Sequence, residues 1–219
     1  LYVIEGVDGS GKATQTELLY QELQQQHQTV RKVSFPDYDS PSSSLIKMYL
    51  NGEFGTDPQS VNAFATSVFF AVDRFASFRK DWQQFYQDGG TIIADRYVTS
   101  NLVHQAGKIT DAAEKERYIH WLSELEYDIF GLPRPDCVIF LDMPPAYSLQ
   151  LRQQRNELKQ GLTKDIHEAD QHYLEQAYNN TSIAQHQQWH IISCVADGKI
   201  RTIDDIHREI MQVVNRTEH

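Results

Sequence analysis

The sequence predicts an α/β protein built on a five-stranded parallel sheet with helices on both faces. Three observations carry that prediction. Short apolar runs alternate with longer segments of helical periodicity along all 219 residues, a glycine-rich loop follows the first apolar run directly, and two later runs end in aspartate. Strands are expected at residues 1–5, 30–35, 91–95, 136–141 and 189–193.

The helices follow in order. Residues 14–26 place Leu18, Leu19 and Leu23 on one face. The second strand leads into a long insertion, with a short helix at 41–51 and a long one at 58–87 that Gly89-Gly90 ends. Later helical segments are expected at 111–130, at 145–188 with a break near Gly161, and at 203–215. Glutamine-rich patches at 24–28 and 185–188 read as solvated helix faces. No Pro/Gly/Ser-rich linker divides the chain, so residues 1–219 are expected to form a single domain.

A net charge of −10 argues against a nucleic-acid-binding surface, which needs clustered Lys and Arg. Cys137 and Cys194 lie in or beside apolar runs and read as small core residues, which fits a reducing, cytoplasmic location. No stretch is long and apolar enough to span a bilayer, and no signal peptide is expected before the first strand. Neither nucleic acid nor membrane is therefore an expected partner.

The run Glu5-Gly6-Val7-Asp8-Gly9-Ser10-Gly11-Lys12 satisfies the first seven positions of G-x-x-x-x-G-K-[ST]. Backbone N–H groups in such a loop wrap a polyphosphate, the lysine neutralises its far end, and the following helix points its positive N-terminus at the same anion. Position eight is Ala13, so the hydroxyl that usually touches Mg²⁺ is missing there, although Thr14 follows. The expected nucleotide-phosphate-binding set is Gly6, Asp8, Gly9, Ser10, Gly11, Lys12, Ala13 and Thr14. A glycine-rich turn without a ligand is the alternative.

Asp95 ends the third strand on the sheet edge where open α/β folds bind ligands, and is the candidate for the Mg²⁺ shell. Asp142 ends the fourth strand in the same way. Asp95 is preferred because Arg96 follows it and can hold a second anion, whereas Asp142 leads into a Pro-Pro helix start. On the long helix, Val61, Ala65, Val68, Val72, Phe75 and Trp82 form a stripe expected to face the core. Phe70 and Arg74 share a different face, suited either to a base stacked on Phe70 with Arg74 on its oxygen, or to packing against another element. Arg152 and Arg155 lie in a basic segment of an acidic chain and read either as arginines that close over a transferring phosphoryl group or as ordinary surface charge.

Taken with Phe35-Pro36-Asp37-Tyr38, Val72-Asp73-Arg74, Asp95-Arg96-Tyr97 and Gly131-Leu132-Pro133-Arg134-Pro135-Asp136, the phosphate loop makes the chain resemble the thymidylate kinase family along essentially its whole length. The resemblance implies transfer of the ATP γ-phosphate to dTMP with Mg²⁺, on a P-loop kinase fold that forms homodimers and closes with a lid at about residues 150–167. It implies that Asp8 holds the 3′-hydroxyl, that Phe70 stacks on thymine beside Arg74, and that Arg96 grips the dTMP phosphate. Phe35, Pro36, Tyr38, Ser100, Asn101, His104 and Gln105 would complete the acceptor site, with Ser100, Asn101 and Gln105 in the segment that meets the base edge. The lid would contribute Glu168 and a catalytic arginine, Arg152 or Arg155, because the phosphate loop itself has none.

Three residues depart from the family pattern. Ala13 lacks the metal-facing hydroxyl, Asp37 replaces an arginine after Phe-Pro, and His104 replaces a tyrosine that helps exclude a ribose 2′-hydroxyl. Asp37 keeps a second enzyme open, a deoxynucleoside kinase that uses this carboxylate as general base on a 5′-hydroxyl. A third alternative is a nucleotide-binding switch without turnover, against which stands the lack of an Asn-Lys-x-Asp guanine motif.

Overall fold

The computed structural model describes residues 1–26, 28–158, 175, 177–179 and 182–217. Five strands, β1 (Tyr2–Gly6), β2 (Val30–Ser34), β3 (Thr91–Asp95), β4 (Cys137–Asp142) and β5 (His190–Ser193), form one sheet in the order β2-β3-β1-β4-β5. All neighbouring pairs run parallel. Every expected strand is present, with ends displaced by one residue at most.

Alternate residues of the strands point to opposite faces, and each face has its own core. Val3, Ile92, Ala94 and Val138 pack with Phe78, Trp82, Tyr118 and Leu122 on one side. Tyr2, Ile4, Ile93, Cys137 and Ile139 pack on the other against Leu19 and Leu23 of α1 (Lys12–Gln25) and Ile206, Ile210 and Val214 of α9 (Ile203–Thr217). The helices therefore cover both faces. Both cysteines are buried and unpaired, as expected of core thiols.

The insertion after β2 contains α2 (Ser44–Leu50) and α3 (Ala63–Ser77), which runs through a wider π turn (Phe78–Trp82) into α4 (Gln83–Gln87). Here the stripe expectation is corrected. Val68, Val72 and Phe75 are 37–42% exposed, while Thr66, Ser67, Asp73, Arg74 and Ser77 are buried. Apolar periodicity finds a face but not its destination, and the inward face of α3 is polar because it borders a ligand cavity and carries a buried ion pair. Trp82 is fully buried even though it stands seven residues after the exposed Phe75. The π turn adds a residue to the intervening coil and rotates the following chain by about 100°, turning Trp82 inward.

Downstream of β3 lies α5 (Val98–His104), a helix the periodicity does not announce, followed by a short turn at Ala106–Lys108 and α6 (Ala112–Ser123), which continues as a π turn to Ile129. Then come α7 (Pro145–Leu158), α8 (Ser182–His186) and a small hairpin, β6 (Val195–Ala196) and β7 (Lys199–Ile200). Among the described residues no helix is long and apolar enough to cross a membrane.

Candidate active site

The carboxyl ends of β1 and β3 lie side by side, with Ile4 in register with Asp95. Above them opens a cavity of about 630 Å³, a size suited to small ligands. Its floor is the phosphate loop. Gly6 has φ +152, and a Cβ there would meet Ser10 Oγ at 2.7 Å and the Leu141 carbonyl at 2.8 Å, so only glycine lets the loop leave the sheet this tightly. Gly11, at φ +89, caps the start of α1. Lys12 Nζ donates to the Val7 carbonyl at 2.8 Å and is enclosed by the loop. Burial, followed by the nearby Arg96 cation, lowers its pKa to about 8. Residues 8–14 of the expected phosphate-binding set line the cavity, whereas Gly6 anchors the loop beneath it.

Toward β2 and α3 the cavity is lined by Phe35, Pro36, Tyr38, Leu50, Phe70 and Arg74, and from α5 by Ser100, Asn101, His104 and Gln105. Phe70 and Arg74 do share a face. Arg74 is not a free cation, however: its Nε and Nη2 each donate to Glu126 at 2.6 Å, both side chains being buried. Nη1 stands outside that fork. Gln105 is 1% exposed and its Oε1 has no partner among the described residues, which suits a ligand that donates a hydrogen bond. Ser100 Oγ donates to buried Glu5 at 2.7 Å, as Thr99 Oγ1 does at 2.9 Å, so one carboxylate at the end of β1 binds the first turn of α5.

Arg96 adopts φ +67, a left-handed conformation uncommon outside glycine. Its guanidinium pairs with Asp8, lies 3.7 Å from Glu5, and donates from Nη1 to His104 Nε2 at 3.1 Å. Burial works to lower its pKa, and the carboxylates of Asp8, Glu5 and Asp95 more than offset this, leaving it raised. Burial and then Arg96 pull His104 down to about 3, so the imidazole is neutral and accepts from the arginine.

Asp95 lines the cavity; Asp142 does not, and lies beside Tyr178. Asp37 is also outside the lining. Its backbone N–H donates to Asp73 Oδ2 at 2.8 Å, and Ser42 Oγ donates to Oδ1 at 2.5 Å, so Asp73 ties the 37–42 loop to α3. Burial raises the Asp73 pKa.

The far end of the cavity is bounded by Gln15, Met143, Leu151, Ile200, Arg201, Ile203 and Ile206. Residues 195–200 fold into the β6–β7 pairing, and the wall begins at Ile200. Arg152 and Arg155 belong to α7, beside the wall residue Leu151; their side chains, together with Glu168 and most of the expected lid, lie outside the described residues. Sequence reasoning missed Glu5, Asp73 and Glu126. Glu5 left a signal as a charge closing an apolar strand just before the loop, and Asp73 lies in the Val72-Asp73-Arg74 run, whereas nothing local marks Glu126.

A phosphate loop at the edge of a parallel sheet, one cavity with an apolar far wall, and an aromatic-arginine wall opposite define a P-loop nucleotide-binding α/β protein. The comparisons narrow this class. The thymidylate kinase family model matches residues 4–210. The chain is 31% identical over 171 residues to the thymidylate kinase of Mycobacterium tuberculosis, covering 78% of each. It is 28% identical over 210 residues to that of Danio rerio, covering 96% of this chain and 87% of the relative. The crystal structure of a thymidylate kinase from Ehrlichia chaffeensis superposes with a TM-score of 0.66 over 97% of each chain, at 19% identity, and so shares the fold. The chain belongs to the thymidylate kinase family.

Proposed function

We propose that this protein transfers the γ-phosphate of ATP to dTMP, giving dTDP and ADP, as a single catalytic domain. The observation that carries this reading is one cavity with the phosphate loop as floor and Phe70, Arg74, Arg96 and Gln105 at the acceptor end. The triphosphate lies on the loop, with Lys12 turning from the Val7 carbonyl to the phosphates. The base lies toward Ile200, Ile203 and Ile206. The acceptor base stacks on Phe70, with Arg74 Nη1 and Gln105 Oε1 available to its edge and Arg96 on its phosphate, while Asp8 takes the sugar hydroxyl.

An acceptor phosphate oxygen attacks the γ-phosphorus and ADP leaves with the bridging oxygen. No general base is needed, because a phosphate monoester with a second pKa near ~6 is already largely ionised at neutral pH. This agrees with Asp37 standing outside the cavity lining. The reading assigns Arg152 or Arg155 to the charge on the transferring group and keeps Glu168 as a further acceptor residue, both on the family resemblance.

Mg²⁺ fits the residues present. It favours one or two carboxylates with phosphates and water, and Asp95 supplies a carboxylate at the cavity while the Ala13 side chain supplies no oxygen. When bound, the ion neutralises charge on the phosphates. The exposed Val68, Val72 and Phe75, with Phe75 packed 5.1 Å from Phe130 and Ile129 67% exposed beside it, support a homodimer formed through this face. The buried free thiols suit a reducing cytoplasm.

The test is ATP consumption with dTMP, dUMP, the thymine ribonucleotide, dCMP, thymidine and deoxycytidine. The expected result is ADP formation that depends on dTMP and is negligible with thymidine. Efficient thymidine turnover that Asp37→Asn abolishes would establish the nucleoside kinase instead.

A further inference from the structure

Lys108 is a half-buried cation that the reaction does not use. It ends the short turn after α5, three residues beyond the cavity-lining Gln105, and its Nζ reaches back to the insertion. There it donates to Tyr49 Oη at 3.0 Å, to the Val61 carbonyl at 3.2 Å and to Thr66 Oγ1 at 3.4 Å, while lying 5.1 Å over the Tyr49 ring. The directions of these bonds are settled by their neighbours. Tyr49 Oη donates its own proton to the Pro58 carbonyl at 3.2 Å, and Thr66 Oγ1 donates to the Asn62 carbonyl at 3.0 Å. Both oxygens therefore present lone pairs to Lys108, and a carbonyl can do nothing else. Three acceptors converge on a group with three protons.

What this joins matters for the cavity. Leu50 and Phe70, on its α2–α3 wall, belong to a small apolar cluster with Ile46 and Tyr49 that is separate from the two cores on the sheet. His104 and Gln105, on the opposing wall, belong to α5 and the turn after it. Burial, partly countered by Asp57, depresses the Lys108 pKa to about 7, so keeping an ammonium here has an energetic cost that a neutral side chain would avoid.

We infer that Lys108 is a positioning residue for the acceptor: its three hydrogen bonds hold the Leu50–Phe70 wall at a fixed distance from the His104–Gln105 wall, setting the slot that receives the acceptor base. The inference rests on the acceptor assignment above. It predicts a selective defect, because the phosphate loop and the Ile200–Ile206 wall make none of these bonds.

The experiment compares wild type with Lys108→Met, which keeps the length of the stem but cannot donate, with Lys108→Arg, which can, and with Tyr49→Phe, which removes one acceptor and keeps the ring. Steady-state kinetics with dTMP and ATP varied separately are expected to give Lys108→Met a KM for dTMP raised tenfold or more, with kcat and the KM for ATP within twofold of wild type. Tyr49→Phe should shift the dTMP KM in the same direction by less, and Lys108→Arg should recover most of the loss. A Lys108→Met enzyme with an unchanged dTMP KM, or with dTMP and ATP KM raised equally, overturns the inference. If Lys108→Met does not fold, Tyr49→Phe and Lys108→Arg decide: an unchanged dTMP KM in both overturns it, and a selective increase in Tyr49→Phe supports it. A wild-type protein that ignores dTMP overturns both this inference and the proposed function, whereas normal wild-type turnover with indifferent variants overturns this inference alone.

Discussion

Replacing Glu126 with alanine strands a charge in the protein interior. Arg74 is 1% exposed and Glu126 0%, and the two are joined by a pair of 2.6 Å hydrogen bonds between α3 and the π turn after α6. Arginine cannot shed its proton to escape burial, so the guanidinium must stay charged, draw water in, or move outward. Removing one member of a buried pair typically costs roughly 3–5 kcal/mol, most of it from the orphaned charge. For a chain of this size each kcal/mol moves Tm by about 2–4 °C, so Glu126→Ala should lower Tm by roughly 6–20 °C. The assay is thermal unfolding of the ligand-free protein followed by circular dichroism. The double variant Glu126→Leu with Arg74→Met should regain most of the loss, because an apolar pair of similar volume is often neutral in such a site. A Glu126→Ala protein that melts within about 2 °C of wild type would refute the reasoning, since an uncompensated charge cannot be carried inside at so small a cost.

Two further outcomes follow from the geometry. Lys12 is an ammonium below its pKa of about 8 and a neutral amine above it, so ATP affinity measured by calorimetry should weaken as pH rises through about 8, and this component of the pH dependence should vanish in Lys12→Met. For the ligand-free fold the sign is opposite: its pKa is below the unfolded value, so the folded state is penalised at neutral pH and the penalty is relieved as pH rises from about 8 toward 10.5. Asp95→Asn should lower kcat far more than it raises the KM for dTMP, while Asp142→Asn, outside the cavity, should leave both nearly unchanged; reversed effects in steady-state kinetics would move the metal to the other strand.

The parts legible in the sequence are those whose physics is local. The phosphate loop is a backbone motif with glycines at fixed offsets, and Gly6, Gly9 and Gly11 all adopt the positive φ that the motif requires. Asp95 and Arg96, neighbours in the sequence at the end of one strand, both line the cavity. Illegible were the features set by distant pairs. Arg74 reads as a free base-binding cation until Glu126, 52 residues away, is brought against it. α5 was missed because Val98, Thr99 and Val103 favour a helix poorly; its first turn is held by Thr99 and Ser100 hydroxyls donating to Glu5, more than ninety residues upstream. The α3 stripe misled for a related reason, since hydrophobic periodicity reports which residues avoid water but not whether a cavity, a core or another subunit shelters them.

If Arg96 takes the acceptor phosphate, as proposed above, its pairing with Asp8 and Glu5 makes that site an exchanger and not a trap. A cation already neutralised by its own carboxylates does not concentrate anions from solution, least of all in a chain of net charge −10. An incoming phosphate must take the guanidinium from Asp8, and the released carboxylate must find a new donor. Chloride or sulfate offers it none, whereas a nucleotide carries a sugar hydroxyl on the same molecule. On that reading, occupancy depends on the donor that the incoming anion brings to Asp8 as well as on its charge.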